Sequence, residues 1–196
     1  MRNVARLKMG YYPLPEPEGT KLRSLLSFAG PASVIDPCVG QGTALHIVTS
    51  DSQARRYGVE LDAERARIAS ANGIATIQGN AFDAIARPES FSLLYLNPPY
   101  DSEIGSIANR RMEAVFLEHT YRWLAMEGVL ILVIPFERLH DCAGTHQSRI
   151  PPGDTRVVLE YEWHNLDLSE SHWSTRWSAE LAYAASKCLP ALSGSQ

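Results

Sequence analysis

The tetrapeptide Asn97-Pro98-Pro99-Tyr100 directly follows an apolar segment and is the most specific short motif in the chain. Two consecutive prolines fix φ, remove two backbone donors and hold Asn97 in an extended conformation. The rigid turn presents two acceptors, the Asn97 side-chain oxygen and the Pro98 carbonyl, beside the flat ring of Tyr100. This arrangement suits a planar substrate that carries an amino group. The alternative is a turn that only terminates a strand.

A glycine-containing turn, D-P-C-V-G-Q-G-T at residues 36–43, follows the first predicted strand. Gly40 and Gly42 lack side chains where the backbone must turn sharply and approach a ligand closely. Leu45 stands where a G-x-G-x-x-G dinucleotide motif needs its third glycine, and the turn contains no Walker lysine. Asp36 would repel phosphates but suits a cationic ligand. The alternative is an ordinary turn between a strand and a helix.

Further polar residues lie at the end of the second predicted strand and after the third. Glu60 can accept hydrogen bonds from both hydroxyls of a ribose, and Leu61 can cover one face of a purine. Asp62 suits the N-cap of the next helix. Asn80 can accept from an adenine amino group, while backbone N–H groups nearby can donate to the ring. The alternative for Asn80 is a polar turn.

Alternating strand-like and helix-like segments must position these residues. Strands are predicted to start at 34 and to cover 57–61, 74–77, 91–96 and 129–134. Helices are predicted from a Thr20 cap to Gly30-Pro31, from the glycine turn to about residue 49, over 63–71, and over about 111–126 with Gly128 as the stop. Apolar strands separated by helices indicate an α/β fold whose mostly parallel central sheet carries helices on both faces. Such sheets bind ligands at the carboxyl ends of their strands, where the motifs lie.

Composition narrows the class of protein. The chain has 196 residues, of which 45% are hydrophobic and 20% charged, as expected for about one globular domain. The net charge of −4 argues against a strongly basic nucleic-acid binder. No apolar run approaches the ~20 residues that a membrane helix needs. Three scattered cysteines exclude a disulfide framework or a zinc ribbon and predict a cytoplasmic location, and we expect no metal site.

The four motifs resemble those of a known enzyme family. D-P-C-V-G-Q-G-T, V-E-L-D, G-N-A-F-D and N-P-P-Y, in this order and spacing, are similar to the motifs of class I S-adenosylmethionine-dependent methyltransferases. They most resemble the adenine-N6 DNA methyltransferases of the N-P-P-Y group, and their order is like that of the gamma-type enzymes. The resemblance covers roughly residues 10–140. It implies a Rossmann-like methyltransferase fold and S-adenosylmethionine as the cofactor.

The resemblance also implies roles for individual residues. It implies that the target base is held by Asn97, Pro98 and Tyr100. It implies cofactor contacts at Tyr12, Asp36, Gly40, Gly42, Glu60, Leu61, Asn80, Ala81 and Asn97, with Tyr11 and Pro13 beside Tyr12 in an N-terminal motif. The family usually has Asp where Asn80 stands, and commonly has Thr-Pro where this chain has Leu14-Pro15. No separate target-recognition domain is visible in the sequence.

The implied domain division is a catalytic, cofactor-binding domain at residues 1–150 and a Trp- and Ser-rich segment at 151–196. A Pro-Pro-Gly-Asp turn at 151–154 marks the boundary. The second segment would complete the sheet or form an atypical end. Within it, residues 155–163 could form a strand and 179–186 a strand or a helix.

The implied reaction is methyl transfer to an exocyclic amino group, with adenine N6 in DNA as the first choice and the base flipped out of the duplex. Basic residues could follow the phosphates, namely Arg110, Arg111, Arg2, Arg6 and Lys8. A partner protein or a homo-oligomer would supply target recognition, and no membrane contact is expected. The alternatives are RNA guanine N2, a protein glutamine amide, or an inactive cofactor-binding scaffold subunit.

Overall fold

A six-stranded parallel sheet organises the chain in the computed structural model, which describes residues 13–28, 30–99, 112–135 and 157–163. The strands are β1 (Ser33–Asp36), β2 (Arg55–Glu60), β3 (Ala75–Gln78), β4 (Phe91–Leu96), β5 (Leu124–Pro135) and β6 (Val157–Trp163). Their order is β3-β2-β1-β4-β5-β6, and every neighbouring pair is parallel. This is the order of doubly wound Rossmann sheets, in which the direction of winding reverses between β1 and β4. The predicted α/β fold class is confirmed.

Helices cover both faces of the sheet. They are α1 (Glu16–Ser24), α2 (Thr43–Val48), α3 (Ala63–Ala71) and α4 (Met112–Thr120), with short 3₁₀ turns at Ala81–Asp83 and Tyr121–Trp123. Along β4, Leu93 and Tyr95 join one apolar cluster while Leu94 and Leu96 join another, because successive side chains of a strand point to opposite faces. The first cluster receives Leu22, Leu45 and Ala69 from α1, α2 and α3, and the second receives Phe116 and Leu117 from α4. Within the described ranges no helix has the length and apolar character needed to cross a bilayer.

The first helix begins earlier than predicted. Thr20 is not its N-cap: the helix starts at Glu16, and the Thr20 hydroxyl donates to the Glu16 carbonyl at 3.0 Å from within the helix. Pro17 stands in the first turn, where a missing N–H costs nothing and a fixed φ favours the helix. The helix also ends at Ser24, before the predicted stop at Gly30-Pro31.

The last described helix is shorter than predicted. It ends at Thr120, and residues 124–126 belong to β5. Strand pairing explains the difference, since Leu124 pairs with Phe91 before the register shifts between β4 and β5. Gly128 therefore lies inside the strand, where a Cβ atom would come within 2.7 Å of the Leu124 side chain.

Other predicted elements agree closely with the structure. Both 63–71 and 91–96 have the predicted bounds, and Asp62 caps α3 by accepting from the Arg65 N–H at 2.9 Å. The strand Val157–Trp163 falls within the predicted range 155–163 and pairs with β5. Residues 179–186 lie outside the described part of the chain, and the domain division near 150 stays a prediction.

Candidate functional site

A cleft opens at the carboxyl ends of β1, β2, β3 and β4. It lies at the point where the winding of the sheet reverses, which is where doubly wound sheets bind ligands. The predicted site residues that line it are Asp36, Glu60, Leu61, Asn80, Ala81 and Asn97. Pro13 also lines it, whereas Tyr11, Tyr12, Tyr100 and the five basic residues predicted to follow phosphates lie outside the described residues.

Asp36 ends β1 and is 2% exposed. Its Oδ1 accepts from the Cys38 N–H at 2.8 Å, which shapes the turn out of the strand. Burial raises the pKa of Asp36 to about 8; the bond from Cys38 opposes this shift, and the negative charge of Glu60 adds to it. A carboxyl in this state gains its charge readily when a cationic group enters the cleft.

Cys38 lies in the same turn. Burial raises the pKa of its thiol well above the ordinary value, and the charges of Asp36 and Glu60 raise it further. The raised pKa keeps Cys38 in its thiol form. This form is unreactive, because the thiolate is the nucleophilic form of cysteine.

The two glycines of this turn act through contacts inside the protein. Gly40 has a φ of 56°, and its N–H donates to Glu60 Oε2 at 2.9 Å. Gly42 has a φ of 84°, and a Cβ atom there would collide with Ile74 Cδ1. Neither glycine lines the cleft itself. The positive φ favours glycine at both positions, and the missing side chain of Gly42 allows the turn to pass close to Ile74.

Glu60 ends β2 and joins the turn after β1 to the start of α3. The residue is 5% exposed, and its Oε2 accepts from Gly40. Its Oε1 accepts from the Asp62 N–H at 2.8 Å and from Nε and Nη2 of Arg65 at 3.1 and 2.7 Å. The carboxylate is therefore oriented by protein donors on both oxygens and still borders the cleft.

The wall beyond β3 carries the predicted purine-binding residues. Asn80 Oδ1 accepts from the Phe82 N–H at 3.1 Å, so this side chain stabilises the 3₁₀ turn, as the polar-turn alternative expects. Ala81 is buried and Leu61 is 56% exposed, and both line the cleft. They give this part of the cleft an apolar surface that suits a flat group.

The double-proline turn lies in the same cleft. Strand β4 is hydrogen-bonded to β1, with Leu94 opposite Ile35, so the residues that follow each strand end side by side. Asn97 is half-buried and lines the cleft together with Pro99, while Pro98 is buried. The structure therefore brings Asn97 together with Asp36 and Glu60.

Sequence reasoning missed several residues that line the cleft, among them Thr43, Arg65, Phe82, Tyr95, Met112 and Phe116. The Phe82 and Phe116 rings pack with centroids 4.6 Å apart. Phe116 had a usable signal, because Met112, Val115 and Phe116 recur at the spacing of one helix face in the sequence. Within the described ranges, no three His, Cys, Asp or Glu side chains are grouped as metal ligands would be.

Solved structures with a similar fold include several methyltransferases. The methyltransferase subunit of a type I restriction-modification system from Streptococcus thermophilus has a TM-score of 0.52 and 18% identity, over 61% of this chain and 33% of that chain. A geranyl diphosphate methyltransferase in complex with SAM has a TM-score of 0.46 and 14% identity, over 58% and 46%. A putative S-adenosyl-L-methionine-dependent methyltransferase from Methanococcus maripaludis has a TM-score of 0.45 and 15% identity, over 76% and 70%. The chain spans less than half the length of the first two structures.

Sequence comparison identifies the family. No curated protein matches the chain. Residues 1–144, however, match the uncharacterised methyltransferase family DUF6094. This match covers most of the chain and includes all four motifs and the described cleft. The chain therefore belongs to this uncharacterised methyltransferase family.

Proposed function

We propose that this protein transfers a methyl group from S-adenosylmethionine to an exocyclic amino group, with adenine N6 in DNA as the substrate. One observation carries the proposal: Asn97, at the start of the double-proline turn, lines the same cleft as Asp36 and Glu60. An acceptor for an amino group and two acids suited to a cationic nucleoside thus border one space. Family membership supports methyl transfer as the reaction.

The cofactor is assigned from the chemistry of the residues. Asp36 is a buried carboxyl at the cleft wall, and a cationic ligand would favour its ionised form. Glu60 would accept from ribose hydroxyls, and Leu61 and Ala81 would border the purine. S-adenosylmethionine carries a sulfonium cation, a ribose and an adenine, so these residues fit it. When bound, it supplies an electrophilic methyl group on a sulfonium.

The residues of the turn would act by orientation. Asn97 Oδ1 and the Pro98 carbonyl would each accept one N–H of the target amino group, which turns the nitrogen lone pair toward the methyl carbon. Methyl transfer would form an N–C bond on the amino group and break the S–C bond of the donor, whose sulfur would keep the electron pair, and the amino group would then lose one proton to solvent. Orientation and stabilisation of charge on nitrogen account for the rate. Cys38 takes no part as a nucleophile, since its thiol stays neutral.

DNA is favoured by the resemblance to the N-P-P-Y enzymes. The Streptococcus thermophilus subunit, a restriction-modification methyltransferase, agrees with this choice. The net charge of −4 predicts weak non-specific DNA binding, so a partner protein or a second copy would supply affinity. RNA guanine N2 and a glutamine amide remain alternative acceptors, and an inactive scaffold subunit is the alternative that lacks activity.

The test is transfer of tritium from labelled S-adenosylmethionine into DNA, RNA and protein pools. We expect label in DNA, recovered as N6-methyladenine by mass spectrometry. Asn97→Ala should lower transfer by about 100-fold or more, because one acceptor for the amino group is lost, while binding of S-adenosylhomocysteine is kept. Ser92→Ala, an exposed position on the same strand, is the matched control and should transfer normally.

Two outcomes would contradict the proposal. If label appears only in RNA or only in protein, DNA is not the substrate, and the labelled class of molecule takes its place. If the wild-type protein binds the cofactor but labels none of the three pools, the result favours the scaffold alternative.

A further inference from the structure

Arg65 holds a position in the cleft that none of the sequence motifs includes. It is the third residue of α3, and its backbone N–H is capped by Asp62. Side chains of a helix lean toward the N-terminus, so the guanidinium reaches back to the end of β2. There it pairs with Glu60 through Nε and Nη2, while it also lines the cleft.

The pair is well sheltered from solvent. The side chains of Arg65 and Glu60 are 15% and 6% exposed, and their closest N–O distance is 2.7 Å. A charge-assisted hydrogen bond in such a setting is stronger than one on the surface. The ion pair between Arg67 and Glu64 on the same helix offers the contrast, because its side chains are 68% and 65% exposed.

The charges around the cleft need a counter-charge. Asp36 and Cys38 face the cleft from the turn after β1, and Glu60 faces it from the end of β2. Asp62 and Arg65 lie at the start of α3. Arg65 is the only cation among the described residues that line the cleft. This charge is paired directly with the carboxylate of Glu60.

We propose that Arg65 is a positioning residue for the cofactor: by pairing with Oε1 of Glu60, it holds this carboxylate at the border of the cleft, which Asp36 also lines. The Gly40 and Asp62 N–H groups donate to the carboxylate, and Arg65 is its cationic partner. This inference rests on the proposed cofactor and adds a residue to its binding site.

The experiment compares Arg65→Ala, Arg65→Lys and the control Arg67→Ala. Binding of S-adenosylmethionine, which carries the sulfonium charge, is measured by calorimetry without a methyl acceptor between pH 5 and pH 9, and folding is checked by thermal denaturation. Arg65→Ala should raise the Kd about tenfold at pH 7, because a charge-assisted bond is lost. Arg65→Lys should recover part of this loss, since it restores the charge without the paired geometry. Arg67→Ala should stay within about twofold of the wild type, as expected for an exposed pair.

The pH profile separates positioning from a structural role. Wild-type binding should strengthen as pH rises toward about 8, where Asp36 ionises. Without Arg65 the charge of Glu60 acts more fully on Asp36, so the midpoint should move to higher pH. A variant that unfolds at a lower temperature but has an unchanged midpoint would show a merely structural role and overturn the inference. An unchanged Kd would do the same.

A measurement on the ligand-free protein distinguishes failure of the inference about Arg65 from failure of the proposed function. If the wild-type protein does not bind S-adenosylmethionine, the proposed cofactor is wrong, and the role of Arg65 in positioning it is wrong as well. If the wild-type protein does bind it, the pKa of Asp36 in the ligand-free protein, followed by carbon-13 NMR, tests Arg65 separately. An upward shift of this pKa in Arg65→Ala but not in Arg67→Ala supports the inference, and no shift overturns it.

Discussion

Asp36 and Glu60 are both buried acids at one cleft, yet the protein satisfies them differently. Glu60 accepts from two backbone N–H groups and from Arg65. For Asp36 the structure gives one hydrogen bond, from Cys38, and burial dominates its pKa. At the scale of single residues, the carboxylate of Glu60 is therefore held in place by hydrogen bonds, whereas the charge of Asp36 depends on pH and on the ligand in the cleft.

Asp36 should make stability depend on pH. Its pKa in the folded protein is about 8, above the ordinary value of 3.8, so the folded state binds the proton more tightly than the unfolded chain. The contribution of Asp36 to the free energy of unfolding should therefore fall as pH rises from about 4 to about 8, by on the order of 1 kcal/mol per pH unit. Urea denaturation of the wild type and of Asp36→Asn across this range measures it.

Asp36→Asn should lack this slope and should be more stable than the wild type at pH 8. Asp83→Asn, which changes an exposed carboxyl near the same cleft, should keep the wild-type slope. Parallel curves for Asp36→Asn and the wild type would show that Asp36 is ionised in the folded protein.

At the scale of elements, the turn between β1 and α2 depends on its contact with the end of α3. Gly42 and Gly73 both have positive φ, at 84° and 78°. A Cβ atom at Gly42 would collide with Ile74 Cδ1, whereas one at Gly73 meets nothing within 4 Å. The two glycines therefore separate backbone strain from side-chain collision.

Gly42→Ala should cost more stability than Gly73→Ala. Backbone strain predicts a loss of about 1 kcal/mol for Gly73→Ala, and overpacking against Ile74 should bring the loss for Gly42→Ala to about 2–4 kcal/mol. Chemical denaturation measures both. Ile74→Val removes the colliding Cδ1 atom, so the double variant should be less destabilised than the sum of the single changes. Equal losses for the two glycine variants would refute the collision.

The whole molecule should be stabilised by a ligand that fills the proposed cofactor site. The cleft combines the ends of four strands, so it exists only when the sheet is assembled. S-adenosylhomocysteine at 100 times its Kd should add about 2.7 kcal/mol to the free energy of unfolding. Denaturation with and without this ligand tests the prediction, and Glu60→Gln should show a smaller gain at the same concentration. Binding seen by calorimetry without any gain in stability would mean that the unfolded chain binds the ligand as well.

Sequence patterns predicted elements best where one local signal dominates. The helix that Asp62 caps and the apolar strand before Asn97 have the predicted bounds. The patterns failed at the ends of α1 and α4. Pro17 permits an earlier start in α1, and the pairing of Leu124 with Phe91 draws residues after α4 into a strand. Such pairing depends on residues distant in the chain, which periodicity cannot detect.

The sequence by itself determined the order of the motifs, the alternation of strands and helices, and the identity of the acids and of the double-proline turn. Local chemistry suffices for these, because each depends on neighbouring residues. Tertiary structure alone decided that Asn97, Asp36 and Glu60 share one cleft, that Gly42 serves packing against Ile74, and that Arg65 pairs with Glu60. The physical reason is the pairing of β1 with both β2 and β4, which brings the ends of strands distant in the chain to one edge of the sheet.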